Sequence, residues 1–319
     1  MRYSSVCLAG VLAMAPFGLA ASANAETLSV VVHEPAATEA LIGQHRIVVG
    51  PFEGGRWGDL LRSYVSGVLN GAAADGEKMY ETVHYAESDE GDLVMTGGFF
   101  YEADMFEVEP EVERKCKTRD EDGECTEYSE KVTPCRRAEV NTVAHVEFTR
   151  PETGIVLYHF ASEETDGITS CSEAYWPSAG GYGEQMLFRA IEAVKAEIVP
   201  RRETEAFRIR ESRKGLSKPD RVAFKQAVRL TKSDPEAACG AFEALAPANP
   251  DSVSVQFNIG LCDEMRGLPD EAYQHYLDVL DIEPKQKYTR AAMQRLDLRS
   301  EAERQIAKHF AAISEVGQE

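Results

Sequence analysis

Clusters of nucleophilic, acidic and imidazole side chains punctuate this chain, and their spacing decides what chemistry each could do. Thr169-Ser170-Cys171-Ser172 brings hydroxyls and a thiol together, but no Gly-x-Ser-x-Gly elbow surrounds it and Cys171 is better used in a disulfide. His145 and His159 flank a Thr153-Gly154 turn. Counting outward from that turn pairs 150 with 155 and 145 with 160, an approximate cross-strand register compatible with a surface metal pair. Asp120-Glu121-Asp122-Gly123-Glu124 is too short for a calcium loop, which spreads oxygen ligands over about 12 residues, and reads as a hairpin tip. Glu87-Ser88-Asp89-Glu90-Gly91-Asp92 likewise reads as a turn. Gly54-Gly55-Arg56-Trp57-Gly58 lacks the Lys-Ser/Thr of a nucleotide-hydrolase phosphate loop, so its glycines serve a strand-to-helix turn. Tyr175-Trp176-Pro177-Ser178-Ala179-Gly180-Gly181-Tyr182 is an aromatic, glycine-rich loop ahead of a helix, suited to a packed connector and, with Glu173 and Glu184 nearby, to a carbohydrate or hydrolytic site. No catalytic residue, metal site or cofactor is assigned, and a non-enzymatic role is favoured over a hydrolase or carbohydrate-active enzyme.

The elements that position these residues lie in a chain of 319 residues with 34 Lys+Arg against 54 Asp+Glu, a net charge of -20. That length suits one or two domains, and that charge repels phosphate backbones and anionic membranes, so nucleic acid is excluded as a partner. Met1-Arg2, the small and apolar run Val6 to Ala21, and Ala23-Asn24-Ala25 have the layout of a signal peptide, with cleavage expected after Ala25. Cys7 lacks the neighbours of a lipoprotein signal. No integral membrane span is expected, and export to the periplasm is.

An oxidising compartment makes cysteine count informative. Of seven cysteines, Cys7 falls in the leader, and the six others allow 15 pairings. Cys116 and Cys125 bracket the Asp-Gly turn and face each other across a hairpin. Antiparallel register counted from Pro151-Glu152-Thr153-Gly154 brings Cys135 within about one residue of Cys171. Cys239 and Cys262 lie on successive helices that should pack together. Free thiols or a metal site are the alternatives, but the spacings do not match a Cys-x-x-Cys zinc arrangement.

Residues 26–205 read as an α+β domain. Ile47 to Phe52 is a short buried strand, and Leu60, Leu61, Tyr64, Val65, Val68 and Leu69 form the apolar stripe of a helix. Strand character returns over Glu81 to Ala86, Leu93 to Met105, Cys125 to Val132, Ala138 to Arg150 and Ile155 to Ala161, with mainly antiparallel pairing expected. A last amphipathic helix spans Tyr182 to Val199. A two-layer sheet with helices packed on it follows. The order of a strand ending in Pro51-Phe52, a glycine turn, a helix, the strand Val94-Met95-Thr96-Gly97-Gly98, the Thr153-Gly154 turn and a terminal helix resembles the periplasmic domain of the curli-secretion lipoprotein (CsgG-like) family over about Gly43 to Pro200. The resemblance implies an envelope assembly module that self-associates. Channel-forming members are lipid-anchored and carry lipid-facing hairpins; here the segment Glu107 to Glu113 is acidic and interrupted by Pro110, which disfavours a pore.

Arg201 to Lys218 is charged and helix-compatible, with residues 206–218 as a linker. Beyond it, Ala238, Phe242 and Pro250 recur 34 residues later as Ala272, Tyr276 and Pro284. Gly260 is the small residue where paired helices approach, and Gly267-Leu268-Pro269-Asp270 turns the chain. Residues 219–319 thus resemble an all-α tetratricopeptide repeat array, with a third, degenerate hairpin, Tyr288 to Leu298 and Ser300 to Phe310, as its cap. The resemblance implies protein binding in a groove lined by first helices, at positions matching Phe257, Leu261, Glu264 and Met265. Phe257 and Leu261 stand where a carboxylate clamp would need Lys and Asn, so these positions either bind an apolar partner or pack against the first domain. The functional reading is a protein-interaction adaptor or scaffold in envelope or secretion-related assembly; a self-assembling homo-oligomer built on the α+β domain is the alternative.

Overall fold

The structure, a computed structural model, describes residues 26–74, 76–85, 90–172 and 179–316. The expected leader, residues 87–89 of the acidic run and residues 175–178 of the aromatic loop lie outside the described residues, while 179–182 of that loop begin α2. Strand β1 (Thr27–Glu34) is followed by β2 (Arg46–Glu53), α1 (Arg56–Gly71), the short β3 (Ala73–Ala74) and β4 (Glu77–Lys78), and β5 (Glu81–His84). Three long strands come next, β6 (Leu93–Arg119), β7 (Cys125–Thr149) and β8 (Val156–Ser170), then α2 (Ala179–Ile198) and β9 (Arg201–Arg208). Five helices complete the chain: α3 (Lys218–Leu230), α4 (Pro235–Leu245), α5 (Val253–Arg266), α6 (Pro269–Ile282) and α7 (Lys287–Val316). The fold is α+β. Two compact units divide it, one of Val31–Thr204 with Arg290–Glu319, the other of Glu205–Thr289 with the chain up to Val30.

In the larger unit the sheet order is β5-β2-β6-β7-β8. Alternation puts Val140, Ala144, Val146 and Phe148 of β7 on one face, where they meet Leu61, Val65 and Leu69 of α1 and Met186, Leu187, Ile191 and Val194 of α2. Burial stabilises each of these side chains larger than Ala144 by about 1.5–3 kcal/mol. Glycines shape the turn into α1: a Cβ on Gly54 would lie 1.9 Å from the Phe99 carbonyl oxygen, and one on Gly58 equally close to that of Glu53. The β6–β7 and β7–β8 pairs are antiparallel as expected, but β2 runs parallel to both β5 and β6. The α1 crossover after β2 permits that parallel pairing, which a hairpin cannot supply.

Cys125 to Val132 and Ala138 to Arg150, expected as two strands, are one. Pro134 does not break it because the register shifts there: Val108 pairs with Cys135 and Glu111 with Thr133, leaving Pro110 and Pro134 in the irregularity where a missing N–H costs nothing. Beyond the sheet, β6 and β7 continue as a two-stranded arm. Its turn is closed by the Asp120 carboxylate, which accepts from the N–H groups of Asp122 and Glu124, with Gly123 at φ 85°. Disulfides join Cys116 to Cys125 in this arm and Cys135 to Cys171 at the β7–β8 edge.

Two segments depart from their expected form. Arg201 to Arg208 is strand, not helix, because it pairs with β1; the Arg201–Glu34 ion pair spans that pairing. The expected third hairpin is instead the single helix α7, whose Leu298-Arg299-Ser300 holds no Gly or Pro to break it. All of it from Arg290 onward belongs to the larger unit. Gln305 gives its amide oxygen to Ala36 N–H (2.9 Å) and its amide nitrogen to Ala36 C=O (3.0 Å). Fully buried His309 accepts from Gly43 N–H through Nδ1 (3.2 Å) and donates from Nε2 to Met79 C=O (2.8 Å). Ile306 and Phe310 pack on the sheet-and-helix core.

Candidate protein-binding surface

The smaller unit is built from two helical hairpins, α3–α4 and α5–α6. Ser217, Asp234 and Ser252 cap the N-termini of α3, α4 and α5 by accepting from backbone N–H groups, and α5 ends at Gly267 in the left-handed region. One aromatic pair closes each hairpin: Phe224 against Phe242 at 5.5 Å and Phe257 against Tyr276 at 5.6 Å. Ala238, Phe242, Ala272 and Tyr276 are fully buried, and Pro250 and Pro284 follow the second helix of each hairpin. A Cβ on Gly260 would lie 2.7 Å from the Tyr276 ring, so only glycine fits this approach of α5 to α6. The Cys239–Cys262 disulfide ties α4 to α5.

Of the four positions matching a groove, three are buried. Phe257 packs against the tilted ring of Tyr276, Leu261 is fully enclosed, and Glu264 accepts a hydrogen bond from the Tyr276 hydroxyl. Met265 is half-buried. The residue that contacts an extended chain is Asn258, one position beyond Phe257. Its Oδ1 accepts from Arg210 N–H at 2.8 Å and its Nδ2 donates to Arg210 C=O at 3.0 Å. A single amide thus satisfies both polar groups of one residue in the segment between β9 and α3, whose Ile209 is 2% exposed and donates its N–H to Glu26 C=O. Several buried residues of α5 are polar, Ser254 and Gln256 among them, so nothing in the sequence marks Asn258. Nearby, burial raises the Asp263 carboxyl above its ordinary range, against the pull of His275 and Arg266.

The larger unit offers two other surfaces. The arm exposes Met105, Phe106, Val112, Tyr128 and Val132; Val112 and Val132 are cross-strand partners, and Arg114 pairs with Glu130 one step further out. A cavity of about 430 Å³ is lined by His33, Arg201, Arg202, Glu303, Ile306 and Phe310, among others. Burial and then Arg299 hold the His33 imidazolium below its ordinary range, with Glu303 opposing. The His145 and His159 pairing differs by one from the expected register: His145 faces Ala161, while His159 faces Glu147 and holds its carboxylate at 2.8 Å. Cys171, the thiol of the Thr169 to Ser172 cluster, is in a disulfide. Among the described residues, no group of three or more His, Cys, Asp or Glu could hold a metal ion, and no helix is long and apolar enough to cross a membrane.

No family model and no curated protein matches the chain. Solved structures similar to parts of it include a point mutant of MamA, 20% identical over 31% of this chain and 74% of that one, with a TM-score of 0.25. A neuraminyllactose-binding hemagglutinin homolog from Helicobacter pylori is 14% identical over 51% of this chain and 87% of that one, at 0.26. The PelC dodecamer from Paraburkholderia phytofirmans is 14% identical over 55% of this chain and all of that one, at 0.24. Likenesses at these scores say nothing of what the chain binds.

Proposed function

We propose that this chain is an exported, non-enzymatic protein-interaction adaptor, acting in the periplasm in envelope or secretion-related assembly, and that its helical hairpins are tetratricopeptide repeats. The observation that carries the reading is the Asn258 amide, which holds both backbone groups of an extended residue against α5. A helix face that reads main chain in this way recognises a peptide through groups every peptide has, and leaves selection to the side chains on either side. The acidic surface favours basic or neutral partners and slows approach of acidic ones. In-cell crosslinking and affinity capture with the full chain tests the reading: a distinct partner is expected, and recovery of the chain alone would overturn it.

A second reading, self-assembly through the α+β unit, is favoured by the exposed Val112–Val132 pair and Tyr128 on the β6–β7 arm, since the arm leaves strand edges open to another chain. Native mass separates the two readings. A closed ring gives one large species, and an adaptor gives a monomer or dimer.

A further inference from the structure

The peptide-reading face of α5 is already filled by the chain itself, and filled incompletely. Ile209 is an aliphatic anchor, and Arg210 gives both its backbone groups to Asn258. The flanks of this segment are loose: Arg208, Glu211, Ser212, Arg213 and Lys214 are exposed. A cavity of about 320 Å³ lies along it, lined by Arg208, Ile209, Arg210, Glu211, Ser212 and Tyr288. Another, of about 210 Å³, opens beside Glu26, Phe224 and Val228. Two atoms of charged groups at the segment are buried without a hydrogen-bond partner, the Nε of Arg210 and Oε2 of Glu26, the Glu26 carboxylate being ion-paired to Lys232 through Oε1 at 3.0 Å. A well-fitted structural segment leaves neither space nor a buried polar atom unsatisfied, because each costs stability.

We propose that Ile209–Ser212 is a resident segment in a peptide site centred on Asn258, and that the site's partner is an extended segment carrying an aliphatic residue followed by a basic one, which displaces it. The aliphatic side chain replaces Ile209, the backbone takes over the Asn258 bonds, and the basic side chain meets the Glu26 carboxylate at Oε2, the oxygen that Lys232 does not hold, beside the apolar wall of Phe224 and Val228. This deepens the adaptor reading and rests on it.

The test uses the full chain and a fluorescein-labelled peptide of its own residues Phe207 to Lys214, read by anisotropy. Arg210→Pro removes the N–H that Asn258 accepts and so loosens the resident segment. The peptide is expected to bind this variant at least ten-fold more tightly than the unaltered chain, and Asn258→Ala added to Arg210→Pro is expected to abolish the gain. Equal binding to unaltered and Arg210→Pro chains, with the melting transition retained, overturns the proposal and makes the segment a structural staple. If Arg210→Pro does not fold, Ile209→Ser, which keeps the amide and removes the anchor, gives the same comparison. The two readings fail separately. In-cell crosslinks from the unaltered chain with no gain on opening would leave the adaptor standing without a resident segment, whereas peptide binding to the opened chain with no cellular partner would do the reverse.

Discussion

Gly260 and Cys262 lie two residues apart on α5 and constrain it in different ways. At Gly260 an alanine gains up to about 1 kcal/mol in helix propensity but drives its Cβ to 2.7 Å from the ring of fully buried Tyr276. Overpacking of this kind costs about 1–3 kcal/mol, so Gly260→Ala is expected to destabilise the chain by about 1 kcal/mol net in urea titration. A rise in midpoint would show that the helices are not in close contact there. Cys239 and Cys262 are both fully enclosed and close a short loop between hairpins. Replacing both with alanine is expected to cost about 3 kcal/mol. The Cys116–Cys125 bond sits on an exposed arm, and the double serine variant is expected to leave the main transition within about 0.5 kcal/mol while trypsin cuts faster at Arg114, Lys115 and Arg119. Equal effects of the two pairs would contradict this division.

Helix α7 carries the pH dependence. The neutral imidazole of His309 accepts from Gly43 and donates to Met79, whose carbonyl also receives His45, and burial holds the His309 imidazolium below its ordinary range. The folded state therefore binds this proton less readily than the unfolded chain. Stability is full above the unfolded value of 6.5 and declines as pH falls from there toward the folded value. Denaturation at pH 7.5 and 5.0 is expected to show a loss of stability that His309→Gln largely removes, a comparison in which His33, shifted in the same direction, cancels. An unchanged slope in the variant would remove His309 as the cause. This role was not legible in the sequence, because the partners of Gln305 and His309 lie 230 to 269 residues away. The hairpins were legible, since the 34-residue spacing of Ala238 with Ala272 and Phe242 with Tyr276 is local. The three expected disulfide pairs are the ones formed: β7–β8 register carries Cys135 to Cys171, the β6–β7 turn brings Cys116 near Cys125, and the packing of α4 on α5 brings Cys239 to Cys262. Parallel pairing of β2 on both sides leaves no such local mark.

At the scale of the whole molecule, the α+β unit and the hairpin unit present different surfaces, an exposed two-stranded arm and a backbone-reading helix. Of the groove positions transferred by resemblance, Phe257, Leu261 and Glu264 are buried; Asn258 went unassigned because a lone asparagine carries no pattern until the chain opposite it is known. The central claim is that partners are met at α5. A photo-crosslinking residue at half-buried Met265 and, separately, at exposed Tyr128 on the arm tests it in cells. The account predicts adducts from 265 with a distinct protein, weakened by Asn258→Ala. Adducts confined to 128 and equal in mass to two copies of the chain would contradict it and place function in self-assembly.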